Sequence, residues 1–158
     1  MGANMRAEKL QTKSVQVMTA VARPETGPAG IGVVAINAPT EALSNIYEQA
    51  LGNADDLQLR AVLRALQLGK QLHASNISIL CPDEYVVKLV NREVALEPGS
   101  PLAVPYIKVR ALMHTYQLAE VLAVPRSRVE PARRLAIEAS RMPVHTKQIQ
   151  KSLFANAA

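Results

Sequence analysis

The stretch Val124-Pro125-Arg126-Ser127-Arg128-Val129-Glu130-Pro131-Ala132-Arg133-Arg134-Leu135-Ala136 decides how this chain is read. Pro125 ends a strand read over Glu120 to Val124. Pro131 sits near a first helical position, where a missing N–H is no loss and a fixed φ suits the helix, so it opens a helix to about Ser140. The same region concentrates charge. From Val124 to Lys151 there are seven basic residues, Arg126, Arg128, Arg133, Arg134, Arg141, Lys147 and Lys151, against two acids, Glu130 and Glu138. The rest of the chain holds eleven residues of each sign, so the net charge of +5 sits in this helix, the turn before it and the tail. Such clustering is the usual footprint of a polyanionic partner. A solubilising basic tail is the alternative.

Bulk composition narrows the class. The chain has 158 residues, which is about one domain, with 49% apolar and 20% charged residues, as in a folded globular protein. Aromatics amount to 3% with no Trp, which argues against a row of aromatic platforms for single-stranded nucleic acid. A lone cysteine, Cys81, rules out an internal disulfide and points to a reducing compartment. It follows Ile77 and Ile79 at strand spacing, which suits a buried structural thiol. No apolar run approaches the ~20 residues of a membrane span. The start, Met1-Gly2-Ala3-Asn4-Met5-Arg6, has no signal-peptide core, and Arg6 stands where a myristoylation signal has Ser or Thr. A cytoplasmic protein is expected.

Working outward, residues 1–13 are polar and aperiodic and read as a flexible arm. Val15, Val17, Thr19 and Val21 share one face of a first strand. A Pro/Gly turn from Pro24 to Gly30 leads to a second strand, Ile31 to Ile36, and a weaker third covers Leu43 to Gln49. Asp55 to Leu72 is a strong helix, with Asp55 or Asp56 as its cap and Asp56, Arg60, Arg64, Gln67 and Gln71 as its wet stripe. Gln58 lies off that stripe, in line with Val62, Ala65 and Gly69, and is expected to face the sheet or its rim. A central-type strand, Asn76 to Cys81, ends at Pro82, and Asp83 starts a short helix through Val90. Residues 92–105 read as a loop, Tyr106 to Tyr116 as a helix, and residues 142–158 as a basic tail. The order β-β-β-α-β-α-α-β-α implies an α/β fold: a mixed five-stranded sheet of three antiparallel meander strands plus two parallel strands, flanked by helices.

Local motifs agree with one family. Gly27-Pro28-Ala29-Gly30-Ile31-Gly32-Val33-Val34 resembles the G-P-G-G-x-G-x-V hairpin of ribonucleases H. Leu57 to Leu66 resembles their A-E-L-x-A-x-x-x-A-L helix, and Ile77 to Val86 resembles their I-x-x-x-T-D-S-x-Y-V strand end. The opening stretch resembles their last motif, a V-P-R turn before a helix beginning A-D-x-L-A. The resemblance covers roughly residues 14–141 and implies a ribonuclease H-like domain there. Enzymes of that family cleave RNA with two magnesium ions held by four carboxylates, because paired hard cations need oxygen anions around them. Carried over by motif, the four positions fall on Thr19, Gln58, Pro82 and Arg133. None is acidic, which implies a catalytically inactive relative. Asp83, one residue on, reads as a helix N-cap, and Glu130 as a cap of its own helix; either is an open candidate for weak metal binding.

Other chemistry finds no footing. His73, His114 and His145 lack metal-ligand spacing, and no Walker-type loop is present. The glycines of Gly27 to Gly32 are too close for a dinucleotide fingerprint and join two strands. No cofactor and no metal are expected. Two functions stay in competition. The first is a binder of RNA/DNA hybrid or double-stranded RNA through a former active-site groove made cationic by Arg126, Arg128, Arg133 and Arg134, with Thr19 and Gln58 as hydrogen-bond donors to ribose or phosphate. The second is a structural or protein-interaction module. Its contacts are the apolar loop Leu96 to Pro105 and the tail Ile149 to Phe154, the latter suited to a partner protein or a homodimer.

Overall fold

The structure is a computed structural model that describes residues 14–36 and 45–143. The expected arm, the start of the third strand at Leu43 and the tail from residue 144, with Lys147, Ile149, Lys151 and Phe154, lie outside the described residues.

The elements follow the expected order. They are β1 (Ser14–Ala22), β2 (Ala29–Ala35), β3 (Asn45–Ala50), α1 (Ala54–Gln71), β4 (Asn76–Cys81), α2 (Glu84–Val90), α3 (Ala103–Met113), β5 (Leu118–Ala123), a 3₁₀ turn (Arg126–Val129) and α4 (Glu130–Ser140). The sheet order is β3-β2-β1-β4-β5. β2 runs antiparallel to β1 and β3 antiparallel to β2. β4 is parallel to β1 and β5 parallel to β4.

β1 is central and is buried on both faces. Val15 and Val17 join the large core under α1, with Leu57, Leu66, Ile77 and Ile79. Met18 and Ala20 point the other way and pack with Leu80, Val129 and Ala132. α1 buries Leu57, Gln58, Leu59, Val62 and Leu66 as its amphipathic spacing requires. Its cap is Asn53, whose Oδ1 accepts the Asp56 N–H at 2.8 Å. This corrects the assignment to Asp55 or Asp56, which instead place their carboxylates in the first turn, where the helix dipole favours them.

The bounds of α3 and β5 differ from the sequence reading. α3 starts at Ala103 rather than Tyr106, since Pro105 falls within a first turn, where proline is tolerated. It ends at Met113, and Tyr116 leaves the helix to donate its hydroxyl to the Leu66 carbonyl in the core. β5 begins at Leu118 because pairing with β4 starts at Asn76.

α4 lies directly on β2. A Cβ at Gly30 would overlap the Ala136 carbonyl, and one at Gly32 the Ala132 carbonyl. Glycines on the strand and the buried Ala132, Ala136 and Ala139 on the helix let the two backbones touch. That contact fixes where the arginines of α4 stand.

Candidate nucleic-acid interface

A groove of about 960 Å³ opens where the end of β1, the N-termini of α1 and α2, and one side of α4 meet. Its floor is built from the inside out. Thr19, fully buried on β1, donates its hydroxyl to the Leu80 carbonyl at 2.9 Å. Gln58 then donates Nε2 to Thr19 Oγ1 at 3.0 Å. Gln58 is 3% exposed, and it and Pro82 line the groove. The floor is therefore a neutral, hydrogen-bonded relay between β4, β1 and α1. Gln58 takes the rim position expected of it. Thr19 does not reach the groove: its one hydrogen is engaged by Leu80, so it holds Gln58 in place and is corrected from a ligand contact to a support.

Cys81 lies beside this relay as a buried free thiol. Burial above all pushes its pKa up to about 12, so it stays protonated at neutral pH and offers no thiolate nucleophile.

One wall carries acids. Asp83 is the N-cap of α2, as expected, accepting the Val86 N–H at 3.1 Å. Asp55 approaches it from the first turn of α1. Burial raises the Asp55 carboxyl above its ordinary range, and the hydrogen bond and charge of Asp83 push it the same way. Sequence spacing did not link these two acids, which are 28 residues apart, because the contact exists only when both helix N-termini meet at the sheet edge. Glu84 and Tyr85 complete this wall.

The other wall is cationic. Arg126, Arg133 and Arg141 line it, and Arg23 joins them from the loop after β1. Arg23, Tyr85 and Arg141 were absent from the sequence-based site. The signal for each lay close by, since Arg23 follows the strand of Thr19, Tyr85 belongs to the motif of Pro82, and Arg141 belongs to the basic segment of Arg133. Arg128 and Arg134 do not line the groove. Neighbouring helical residues point about 100° apart, so Arg134 cannot share the direction of Arg133. Glu130 does not cap α4, which has no side-chain cap. Its carboxylate stands 3.8 Å from Arg133 and 3.7 Å from Arg134. These are long, exposed ion pairs that contribute little to stability and leave both guanidinium groups available.

His73 and His114 are both exposed at helix ends, and His145 lies outside the described residues. Among the described residues, no three His, Cys, Asp or Glu side chains converge on a metal-sized site. No described helix is long and apolar enough to cross a membrane.

Sheet order, strand directions and helix placement define a ribonuclease H fold. The chain belongs to the reverse transcriptase-like family, whose model matches residues 18–139. Solved structures agree. RNase H1 from the halophilic archaeon Halobacterium salinarum superposes with a TM-score of 0.72 at 19% identity, over 80% of this chain and 97% of that one. The N-terminal RNase H domain of Mycobacterium tuberculosis rv2228c gives 0.73 at 21% identity, over 81% and 99%. LC11-RNase H1, isolated from compost and solved with an RNA/DNA hybrid, gives 0.69 at 18% identity, over 80% and 96%. No curated protein matches the chain in sequence.

Proposed function

We propose that this chain is a non-cleaving nucleic-acid binder of the ribonuclease H-like class, and that its ligand lies along the arginine wall of the groove. The observation that carries this reading is the groove itself, where Gln58, Pro82 and Arg133 meet with Thr19 beneath. These are the positions at which the family resemblance calls for magnesium-binding carboxylates. Their donor set does not fit a divalent cation. A buried hydroxyl that donates to a carbonyl, an amide, a proline and a guanidinium supply no anionic oxygen, and hard cations require several. Asp83 is engaged in capping α2 and faces Asp55 rather than a third acid.

A guanidinium suits a phosphate instead, through a planar fork of donors. Arg23, Arg126 and Arg141 extend the track, so contacts run chiefly to the backbone, and affinity falls with salt while sequence matters little. An RNA/DNA hybrid is the first ligand to try, since LC11-RNase H1 holds one; double-stranded RNA is the second, as a similar A-like helix. A second reading, a protein-interaction module, draws on Val104 and Ile107, which stand 63% and 62% exposed on α3.

Fluorescence anisotropy with labelled hybrid, double-stranded RNA and double-stranded DNA tests the proposal, across a salt series with and without magnesium. Binding that weakens with salt, needs no magnesium and leaves the strands intact on a gel is the expected result. Magnesium-dependent cleavage overturns the non-cleaving assignment. Absence of binding at low salt overturns the nucleic-acid reading and favours the protein module.

A further inference from the structure

The two walls of the groove differ in sign, and the acidic one carries an aromatic ring. Arg126, Arg133 and Arg141 stand on the α4 side, while Asp83 and Glu84 stand on the α2 side. Asp55 adds a carboxyl against Asp83. Within this acidic wall, next to Pro82, is Tyr85, 42% exposed. Tyr85 occupies the first turn of α2, and Val86, Val87, Leu89 and Val90 of that helix are buried, so its backbone is held rigidly. Among the described tyrosines it is the one that lines the groove; Tyr116 is buried, and Tyr47 and Tyr106 are half-buried elsewhere.

Charge sets the direction of a bound strand. Phosphates are drawn to the arginine wall and repelled by the carboxylates opposite. A strand lying on the arginines therefore turns its bases toward Pro82 and Tyr85. A continuous duplex cannot use that arrangement fully. Its base faces are already stacked within the helix, and its second backbone would bring phosphates toward Asp83 and Glu84. An unpaired nucleotide has a free base face and no second backbone, and an aromatic ring is what such a face stacks on.

Resting on the nucleic-acid reading above, we infer that the groove selects an unpaired nucleotide at the end of a duplex, its phosphates on Arg126 and Arg133 and its base stacked on Tyr85. Tyr85 thus determines which form of nucleic acid is preferred, while the arginines supply general affinity.

Anisotropy titrations with a blunt RNA/DNA hybrid and the same hybrid carrying a single-stranded overhang provide the test, on the full chain and on Tyr85→Phe, Tyr85→Leu and Arg133→Asp. The parent protein binds the overhang form about tenfold more tightly than the blunt form, the scale of one base–aromatic stack. Tyr85→Phe retains that ratio, because the ring remains. Tyr85→Leu brings the ratio down toward one. A ratio near one in the parent protein, or a ratio unchanged in Tyr85→Leu, overturns the inference while leaving backbone binding intact. Affinities that do not respond to Arg133→Asp overturn the underlying nucleic-acid reading instead.

Discussion

The sheet is closed on its two faces by opposite means. Under α1 the seam is filled with large branched side chains, Leu57, Leu66, Ile77 and Ile79 among them, all nearly without solvent exposure. Under α4 the seam is made by leaving side chains out: Gly30 and Gly32 on β2 meet Ala132 and Ala136 on the helix. The first seam is held by buried apolar volume, the second by backbone contact and shape. The groove lies where the two seams end. From the α1 side it takes a buried neutral relay, and from the α4 side exposed arginines. One side of the site is thus part of the core, and the other is surface charge aimed by a close-packed helix.

The contrast can be broken from either side. The largest effect is expected from removing volume under α1: Leu66→Ala leaves a cavity and costs about 3 kcal/mol in urea unfolding, with hydrogen-bonded positions in the groove and nucleic-acid affinity retained in the folded fraction. Adding volume under α4 comes next. Gly32→Ala drives a methyl into the Ala132 carbonyl, costs about 2 kcal/mol, and also weakens hybrid binding, because α4 must shift and take Arg133 with it. A Gly32→Ala protein as stable as the parent would mean that the helix does not need its seat on bare backbone.

The relay between the seams is sharpened by Thr19→Val, which keeps shape and removes the hydroxyl. Gln58 Nε2 and the Leu80 carbonyl lose their shared partner, and thermal or urea unfolding should record a loss of about 1–2 kcal/mol. Arg133→Asp is expected to leave stability within about 0.5 kcal/mol, as an exposed change. Its effect belongs to binding: hybrid affinity falls about tenfold and the log–log salt slope drops by roughly one. The smallest change is Asp55→Asn. The folded state raises the Asp55 carboxyl, so it favours the protonated form, and the stability this gives in acid is lost as pH rises through the raised value. Removing the carboxyl should therefore stabilise the protein at neutral pH, by at most about 0.5 kcal/mol for so shallow a site, and leave acid stability unchanged. A gain of equal size in acid would argue against the buried charge of Asp55 as its origin.

Much of the site was legible because its parts are local. The N-cap role of Asp83 follows from its place after Pro82 and before an apolar run, and the inward aim of Gln58 follows from its line with Val62 and Ala65. The arginine track was legible only as charge. Which arginines share the groove depends on the rotation of α4 and the pitch of the 3₁₀ turn, so Arg128 and Arg134 were counted in while Arg23 and Arg141 were left out. Tyr85 was legible only as part of the strand-end motif. That its ring stays partly exposed and lines the groove depends on where the fold places the start of α2.

By itself, the sequence determined the order of strands and helices, the mixed sheet and the absence of carboxylates at Thr19, Gln58, Pro82 and Arg133. Those features rest on side-chain periodicity, turn chemistry and residue identity, all of which are written along the chain. Only the tertiary structure decided that Thr19 is buried beneath Gln58, that Asp55 meets Asp83, and that a cationic wall faces an acidic one bearing Tyr85. These depend on which residues from distant segments are brought within hydrogen-bond or Coulomb range, and that is set by how α4 seats on two glycines and how α1 fills the opposite face.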